Sequence, residues 1–335
     1  MINSNLVLLF FIFINFFFLI NFSKIKIFHL NIDKPDKKRK FHSKPTPLAG
    51  GMLIFLNLII YCFIYKLTDT KLENEVFFND ESSLNYFIMI FSIIFLLGFV
   101  DDKINLRANF KFLVLTLVIL CLLVLDHNLV IRDIKFSFFE RNFGLNTFSF
   151  FFTIFCFLVF INAFNMFDGI NLQSGLYSIL IFSCITLFYS NSLLTKILFI
   201  SLIFFSYLNF KNRTFLGDSG SLLISFIISY LFIKLYNLKY INYADEIILY
   251  MIIAGLDLIR LFIIRIANKK NPLSSDRNHL HHILINKFSF KKTLFIILSL
   301  IILPILLNYL GFYNLISILI TVLAYSILLF VSRKN

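Results

Sequence analysis

Long apolar runs separated by short polar loops dominate the chain. Such runs fall near 5–22, 48–66, 84–100, 110–125, 147–164, 173–190, 193–209, 220–236, 246–266, 293–310 and 312–331. A helix needs roughly 20 apolar residues to cross the hydrocarbon core of a bilayer. The pattern therefore predicts an all-α, polytopic integral membrane protein of about eleven transmembrane helices. Two pairs of runs, meeting at Ser190–Asn191 and at Tyr309–Gly311, are joined by very short turns. Residues 1–22 lack a positive leading segment and a small-residue cleavage site, so this run is expected to stay as a helix.

Composition agrees with the pattern. Hydrophobic residues make up 59% of the 335 and charged residues 15%, against about 25% charged in a soluble domain. The 47 Phe and absent Trp resemble the drift of an AT-rich genome and carry no functional weight. The four cysteines, Cys62, Cys121, Cys156 and Cys184, lie singly inside apolar runs, as small core residues do. A net charge of +13 would suit nucleic acid in a soluble protein. Here it suits basic loops facing the anionic lipids of a membrane, and no nucleic-acid partner is expected.

Charge also orients the chain. Of the 31 Lys and Arg, 21 lie in the loops that follow odd-numbered runs or at the C-terminus, and eight lie in the other loops. The positive-inside rule then predicts an N-terminus outside and a C-terminus in the cytoplasm. Seven acids fall on the cytoplasmic side by this assignment: Asp33, Asp36, Asp101, Asp102, Asp168, Asp218 and Asp276. They sit in short polar clusters, which predicts a site on that face.

Each cluster has a chemistry. "GFVDDK" ends the third run with Asp101 and Asp102, and adjacent carboxylates at a membrane boundary call for a cation or a basic neighbour. "FINAFNMFDGINLQ" (160–173) sets Asn162, Asn165 and Asp168 at spacings of three on a helix that Gly169 can end,. Asn offers both donor and acceptor, as recognition of a base or an amide needs; an interhelical hydrogen-bond network would use the same residues. In "FLGDSGSLL", Gly217 and Gly220 would let backbone approach a ligand, Ser219 and Ser221 would offer N–H groups to an anion, and Asp218 would hold a metal bridging to it,. "SSDRNHLHHIL" gathers Arg277, His279, His281 and His282, a set suited to phosphate,. "DKPDKKRKFHSKPTPLAGG" anchors the first cytoplasmic loop by charge, while His42, Pro45, Pro47, Gly50 and Gly51 imply a shaped loop as well. Together these are the parts for a metal-bound diphosphate with a polar headgroup.

In order and spacing these five segments resemble the polyprenyl-phosphate N-acetylhexosamine-1-phosphate transferases, the family of MraY, WecA and TagO. The resemblance runs over nearly the whole chain, and "DRNHLHH" is more similar to the WecA/TagO branch. It implies a single integral membrane transferase domain over residues 1–335. It also implies transfer of an N-acetylhexosamine-1-phosphate, by default that of N-acetylglucosamine, from a UDP-sugar to undecaprenyl phosphate. UMP would leave, and a cell-envelope glycan such as an O-antigen lipopolysaccharide would be started at the bacterial inner membrane. Mg²⁺, or Mn²⁺ in its place, would be bound by Asp218 with Asp102. Asp101, Asp102 and His281 would serve the chemistry, with Asp101 as base toward the lipid phosphate. Asn162, Asn165, Asp168, Asn171 and Lys111 would hold the nucleotide, and His42, Arg277, His279 and His282 the phosphates. Direct displacement and a covalent phospho-sugar intermediate both fit, as does a homodimer. One departure is clear: the family continues Asp-Gly-x-Asp-Gly-Leu, whereas here Asn171 and Leu172 replace the second Asp-Gly.

Two rival readings use the same composition. A secondary transporter of an anionic substrate would place acids near the bilayer midplane and repeat them in two halves, and no internal repeat is found. An inactive lipid-binding homologue gains only from the altered "DGINLQ".

Overall fold

Each of the eleven apolar runs holds a helix. The computed structural model describes residues 4–35, 44–67, 75–78, 80–272 and 278–333. In chain order the helices are α1 (Ser4–Ile20), α2 (Gly50–Leu67), α3 (Glu81–Ile104), α4 (Ala108–Leu125), α5 (Ser149–Phe167), α6 (Gln173–Cys184), α7 (Leu193–Phe210), α8 (Gly217–Asn237), α9 (Ala244–Ala267), α10 (Leu280–Lys287), α11 (Phe290–Tyr309) and α12 (Asn314–Arg333). Among the described residues nine are long and apolar enough to cross a membrane. The other two apolar helices fall short of the expected span: α1 has 17 residues, and α6 has 12 before a π turn at Ile185–Tyr189. The protein is an all-α polytopic membrane protein. The short α10, outside the predicted spans, carries His281 and His282.

The centre of the bundle is α8. Its membrane-length window is wholly buried inside the protein, packed by α2, α3 and α5, and a helix apolar on all sides belongs in such a place. Close approach needs small residues. A Cβ on Gly98 of α3 would stand 2.5 Å from Ser219 Cα, and one on Gly51 of α2 would run into the backbone of Gly220. These glycines bring helix to helix, as small residues do in membranes. Gly98→Ala should therefore overpack this contact and cost about 1–3 kcal/mol. A clearly lower melting temperature in detergent checks it; unchanged melting would contradict the packing.

Several polar groups inside the bundle are paired with one another. Asn15 of α1 and Asn57 of α2, both buried, exchange amide hydrogen bonds at 2.7 and 3.1 Å. Buried Lys234 meets Asp126 at 3.4 Å. Ser225 and Ser229 return their hydroxyls to carbonyls one turn back on α8, satisfying donors that have no water to turn to.

Two short hairpins complete the fold. β1 (Ile32–Asp33) pairs antiparallel with β2 (Thr46–Pro47), drawing together the ends of the first basic loop. β3 (Asp133–Phe136) pairs antiparallel with β4 (Phe139–Gly144), in the α4–α5 connection expected to be loop. The second hairpin is pinned from outside itself. Asp245 accepts hydrogen bonds from the Ser137 N–H and hydroxyl, and the Tyr236 hydroxyl accepts from the Lys135 N–H at 2.9 Å. No local pattern announces such partners, which stand about a hundred residues away.

Candidate active site

The loop ahead of α8 is set by the segment ahead of α2. The Phe215 N–H donates to the Pro47 carbonyl at 2.9 Å, while Gly50 and Gly51 N–H donate to Phe215 and Leu216 carbonyls at 3.0 and 3.1 Å. The Thr214 hydroxyl donates to Pro47 O and accepts from Ala49 N–H, each at 3.0 Å. The shaped "PTPLAGG" segment thus works as a brace that fixes where α8 begins. His42 lies outside the described residues, as does Arg277.

At that start stands Asp102 of α3. Its Oδ1 accepts the Asp218 N–H at 2.7 Å and its Oδ2 the Ser219 N–H at 3.1 Å. Gly217 takes φ +74°, and any Cβ there would press on the Asp102 carboxylate. Two expectations are corrected here. The Ser219 N–H, expected to meet a substrate anion, is held together with that of Asp218 by the protein's own carboxylate, the charge a helix N-terminus favours,. Gly217 and Gly220 make room for Asp102, Leu216 and Gly51, not for a ligand.

Asp101, 3% exposed, accepts from Leu106 N–H at 2.7 Å and from Lys111 Nζ of α4 at 2.6 Å. Lys111 also lies 3.7 Å from Asp218 Oδ1. On the other side, Asn165 Nδ2 of α5 donates to Asp218 Oδ1 at 2.5 Å and to Ser221 Oγ at 2.7 Å. Asp218 is thereby the junction of α3, α4, α5 and α8, and its side chain remains 35% exposed. Asp168, just past α5, accepts from the Ser174 hydroxyl at 2.6 Å. Burial pushes its carboxyl up to about 7, and the Asp218 charge adds to the rise against the lowering by Ser174. Acidic side chains gathered around one partly open Asp suit a divalent cation with hard oxygen ligands. Among the described residues no group of three or more His, Cys, Asp or Glu side chains could hold a metal ion, so an Mg²⁺ here would share Asp218 with substrate phosphates.

Asn162 turns back to the Leu158 carbonyl at 2.7 Å, on its own helix. Asn171 faces the turn after α7, donating to Asn212 Oδ1 at 2.6 Å and to Asn209 O at 3.3 Å. An Asp at 171 would set a carboxylate against the Asn209 carbonyl, so the amide is what this turn needs. Leu172, where the family has Gly, keeps the glycine-like backbone at φ +68°, and its N–H donates to Asn209 Oδ1 at 2.6 Å. A side chain in that region costs roughly 1–2 kcal/mol. Leu172→Gly should therefore be more stable than Leu172→Ala by about 1 kcal/mol, the reverse of the order inside a helix. Melting curves of the two variants in detergent check this, and an Ala variant that melts higher would contradict it.

The histidine segment closes the site. His279 precedes α10, and its ring stacks on that of His281 at 5.3 Å and 10°. His282 lies 4.3 Å from His281, ring to ring. The His281 ring is seated on Gly169, where any Cβ would overlap it. Burial, with His282 and His279 beside it, holds the His281 imidazole well below its usual pKa, hence neutral. Its buried Nδ1 has no hydrogen-bond partner among the described residues, a cost that a ligand group can remove. Asp257 of α9, given no role by its lone position in an apolar run, meets His279 Nδ1 at 3.1 Å. Only an intramembrane acid so close before a histidine cluster could have hinted at it.

An all-α membrane bundle with acids, amides, a lysine and histidines gathered at the ends of α3, α5 and α8 defines a class that comparison with known proteins makes specific. The family model described as glycosyl transferase family 4 matches residues 84–236, which hold Asp101, Asp102, Lys111, Asn162, Asn165, Asp168, Asn171 and Asp218. The undecaprenyl-phosphate alpha-N-acetylglucosaminyl 1-phosphate transferase of Thermotoga maritima is 31% identical over 271 residues, covering 80% of this chain and 77% of that protein. The proteins of the same description from Salmonella typhi and Escherichia coli K12 are 25% and 23% identical over 281 residues, covering 80% of this chain and 73% of each. The chain belongs to this family of membrane glycosyl transferases.

Proposed function

We propose that the protein transfers N-acetylglucosamine-1-phosphate from UDP-N-acetylglucosamine to undecaprenyl phosphate, releasing UMP and starting a cell-envelope glycan. One observation carries the reading: a row of three hydrogen bonds and one ion pair, Asp101–Lys111–Asp218–Asn165–Ser221, joins four helices around one partly open carboxylate. The names of its relatives support the substrates. A lipid-phosphate oxygen attacks the β-phosphorus, a new P–O bond forms, and the bond to the UMP oxygen breaks.

Each residue follows from its place. Asp218 would hold Mg²⁺, or Mn²⁺ in its place; Asp102, expected as a second metal ligand, has both oxygens on backbone N–H groups and instead fixes Asp218 by holding the start of α8. The bound cation supplies neutralisation of the diphosphate charge. Lys111, held by Asp101, sets a positive charge beside the same phosphates. Asp101 has both oxygens engaged, so its contribution as base is joined to its hold on Lys111. Asn162, Asn165 and Asp168 line the nucleotide side, and Asn171 shapes the turn behind them. His279, His281 and His282 face the diphosphate, and the family resemblance assigns His42 and Arg277 to the same phosphates. The excess of Lys and Arg in the loops at this end supports a cytoplasmic position for it, in a protein of the bacterial inner membrane.

The two sides of the row separate kinetically. Asn165→Ala should raise KM for the UDP-sugar about 10-fold, because it removes a contact present before and during reaction. Asp101→Asn should instead lower kcat about 10²-fold or more. An Asn165→Ala variant that only melts earlier, with KM unchanged, would make the row interhelical glue.

A further inference from the structure

Beyond the matched segment lies a second polar network, built on α9, the segment before α10, and α12. Asp257 is 2% exposed in an otherwise apolar stretch of α9. Its Oδ2 faces His279 Nδ1 at 3.1 Å. Its Oδ1 accepts from three donors: Arg260 Nη2 at 2.7 Å, the Tyr325 hydroxyl at 2.9 Å and the Leu280 N–H at 3.2 Å. Arg260 in turn donates through Nε to the Tyr325 oxygen at 3.0 Å and through Nη2 to the Asn278 carbonyl at 2.6 Å. A buried carboxylate is expensive unless such partners hold it. This arrangement spends three of them on one oxygen and leaves the other for the imidazole.

We infer that Asp257, held by Arg260 and Tyr325, is the positioning residue that sets which nitrogen of His279 meets the diphosphate. The nature of that ligand rests on the proposed function; the hold on His279 does not. With Nδ1 donating to the carboxylate, Nε2 is the ring nitrogen left for a ligand. An imidazolium between Asp257 and a phosphate needs an acceptor at each nitrogen, and these two groups supply both. The stacking of His279 on His281, and of His281 on Gly169, carries the orientation on to the segment that holds Asp168. Through Tyr325, α12 takes part in setting the site.

The asymmetry of the carboxylate makes a sharp test. In Asp257→Asn the three donors at Oδ1 require the amide oxygen there, so the amide NH₂ must face His279. Nδ1 then has to accept, the proton moves to Nε2, and the imidazolium is excluded while size and packing stay the same. The same inversion of a histidine tautomer by Asp-to-Asn replacement is known in serine proteases. In the purified full chain, Asp257→Asn should lower kcat/KM for UMP release about 10-fold or more. In a His279→Gln background the same change should alter it by less than about twofold, because the two residues act as one unit. Nitrogen-15 NMR of histidine-labelled protein gives the second reading. A resonance of protonated Nδ1, assigned by its loss in His279→Gln, should disappear in Asp257→Asn. If Asp257→Asn does not fold, Tyr325→Phe takes its place in the cycle, with a loss of about threefold that again vanishes without His279. Equal losses with and without His279, or an Nδ1–H resonance that survives Asp257→Asn, would overturn the inference. A parent that folds but releases no UMP would sink the proposed reaction alone, since the NMR arm still decides whether Asp257 sets the ring.

Discussion

Asp218→Asn should lower turnover on the order of 10³-fold and leave the protein folded. The substitution keeps an oxygen for Asn165 Nδ2, which lies at 2.5 Å, and it keeps the backbone N–H held by Asp102 at 2.7 Å. Lys111 retains its 2.6 Å partner Asp101. Only the negative charge goes, from the one acid of the row whose side chain is substantially open. A hard cation bound there loses its charged oxygen, and the phosphates lose the charge that neutralises them. Removing a single preorganised electrostatic contact commonly costs 10²–10³-fold, and this one would serve both the attacking and the leaving side. UMP release by the purified variant, with its melting temperature alongside, checks the expectation. Turnover within a few-fold of the parent, still dependent on Mg²⁺, would contradict the assignment.

The second large effect belongs to a residue with no side chain. A Cβ on Gly169 would overlap the His281 ring, and His281 is buried, 1% exposed, with His279 and His282 packed around it. The ring has no slack on either side, so Gly169→Ala must displace the α10 end of the site. Misplacement of a reacting group by about 1 Å can cost roughly 10²-fold. Gly169→Ala should therefore lower kcat by about that factor, with a smaller change in melting temperature than Gly98→Ala gives. If Gly169→Ala instead reduces melting as much as Gly98→Ala and leaves kcat intact, the His281–Gly169 contact is packing alone.

What the sequence disclosed follows the range of the forces involved. Membrane helices follow from local composition, because the bilayer tests each run of about 20 residues separately. All eleven runs are helical; of the two that fall short, α1 stops at Ile20 and α6 gives way to a π turn at Ile185. The clustering of polar segments at one end was legible from the parity of the spans. The partners within the clusters were not. Ser219 read as an exposed N–H for an anion, yet Asp102, 117 residues away, holds it. Gly217 and Gly220 read as room for a ligand, while their close contacts with Asp102 and Gly51 explain them. Lys111 stood out only through the family resemblance, since a lysine near a helix start has no local signal that an Asp ten residues earlier will meet it at 2.6 Å. Asp257 was visible as an oddity and silent as to role, because His279 reaches it only through the path of the chain between α9 and α10. The substitution of Asn171 and Leu172 for Asp-Gly was visible too. The turn it builds with Asn209 and Asn212 explains the amide, while Leu172 retains a backbone that Gly would adopt at lower cost.

The central claim is a transfer between two named phosphates. The full chain, purified in detergent, is given UDP-N-acetylglucosamine, undecaprenyl phosphate and Mg²⁺, and both UMP and the lipid product are followed. The account predicts one UMP for each lipid-linked diphosphate-sugar formed, no release without the lipid phosphate, and loss of both products when the cation is chelated. A folded protein that forms no lipid-linked sugar, or that frees UMP with no lipid phosphate present, would contradict it.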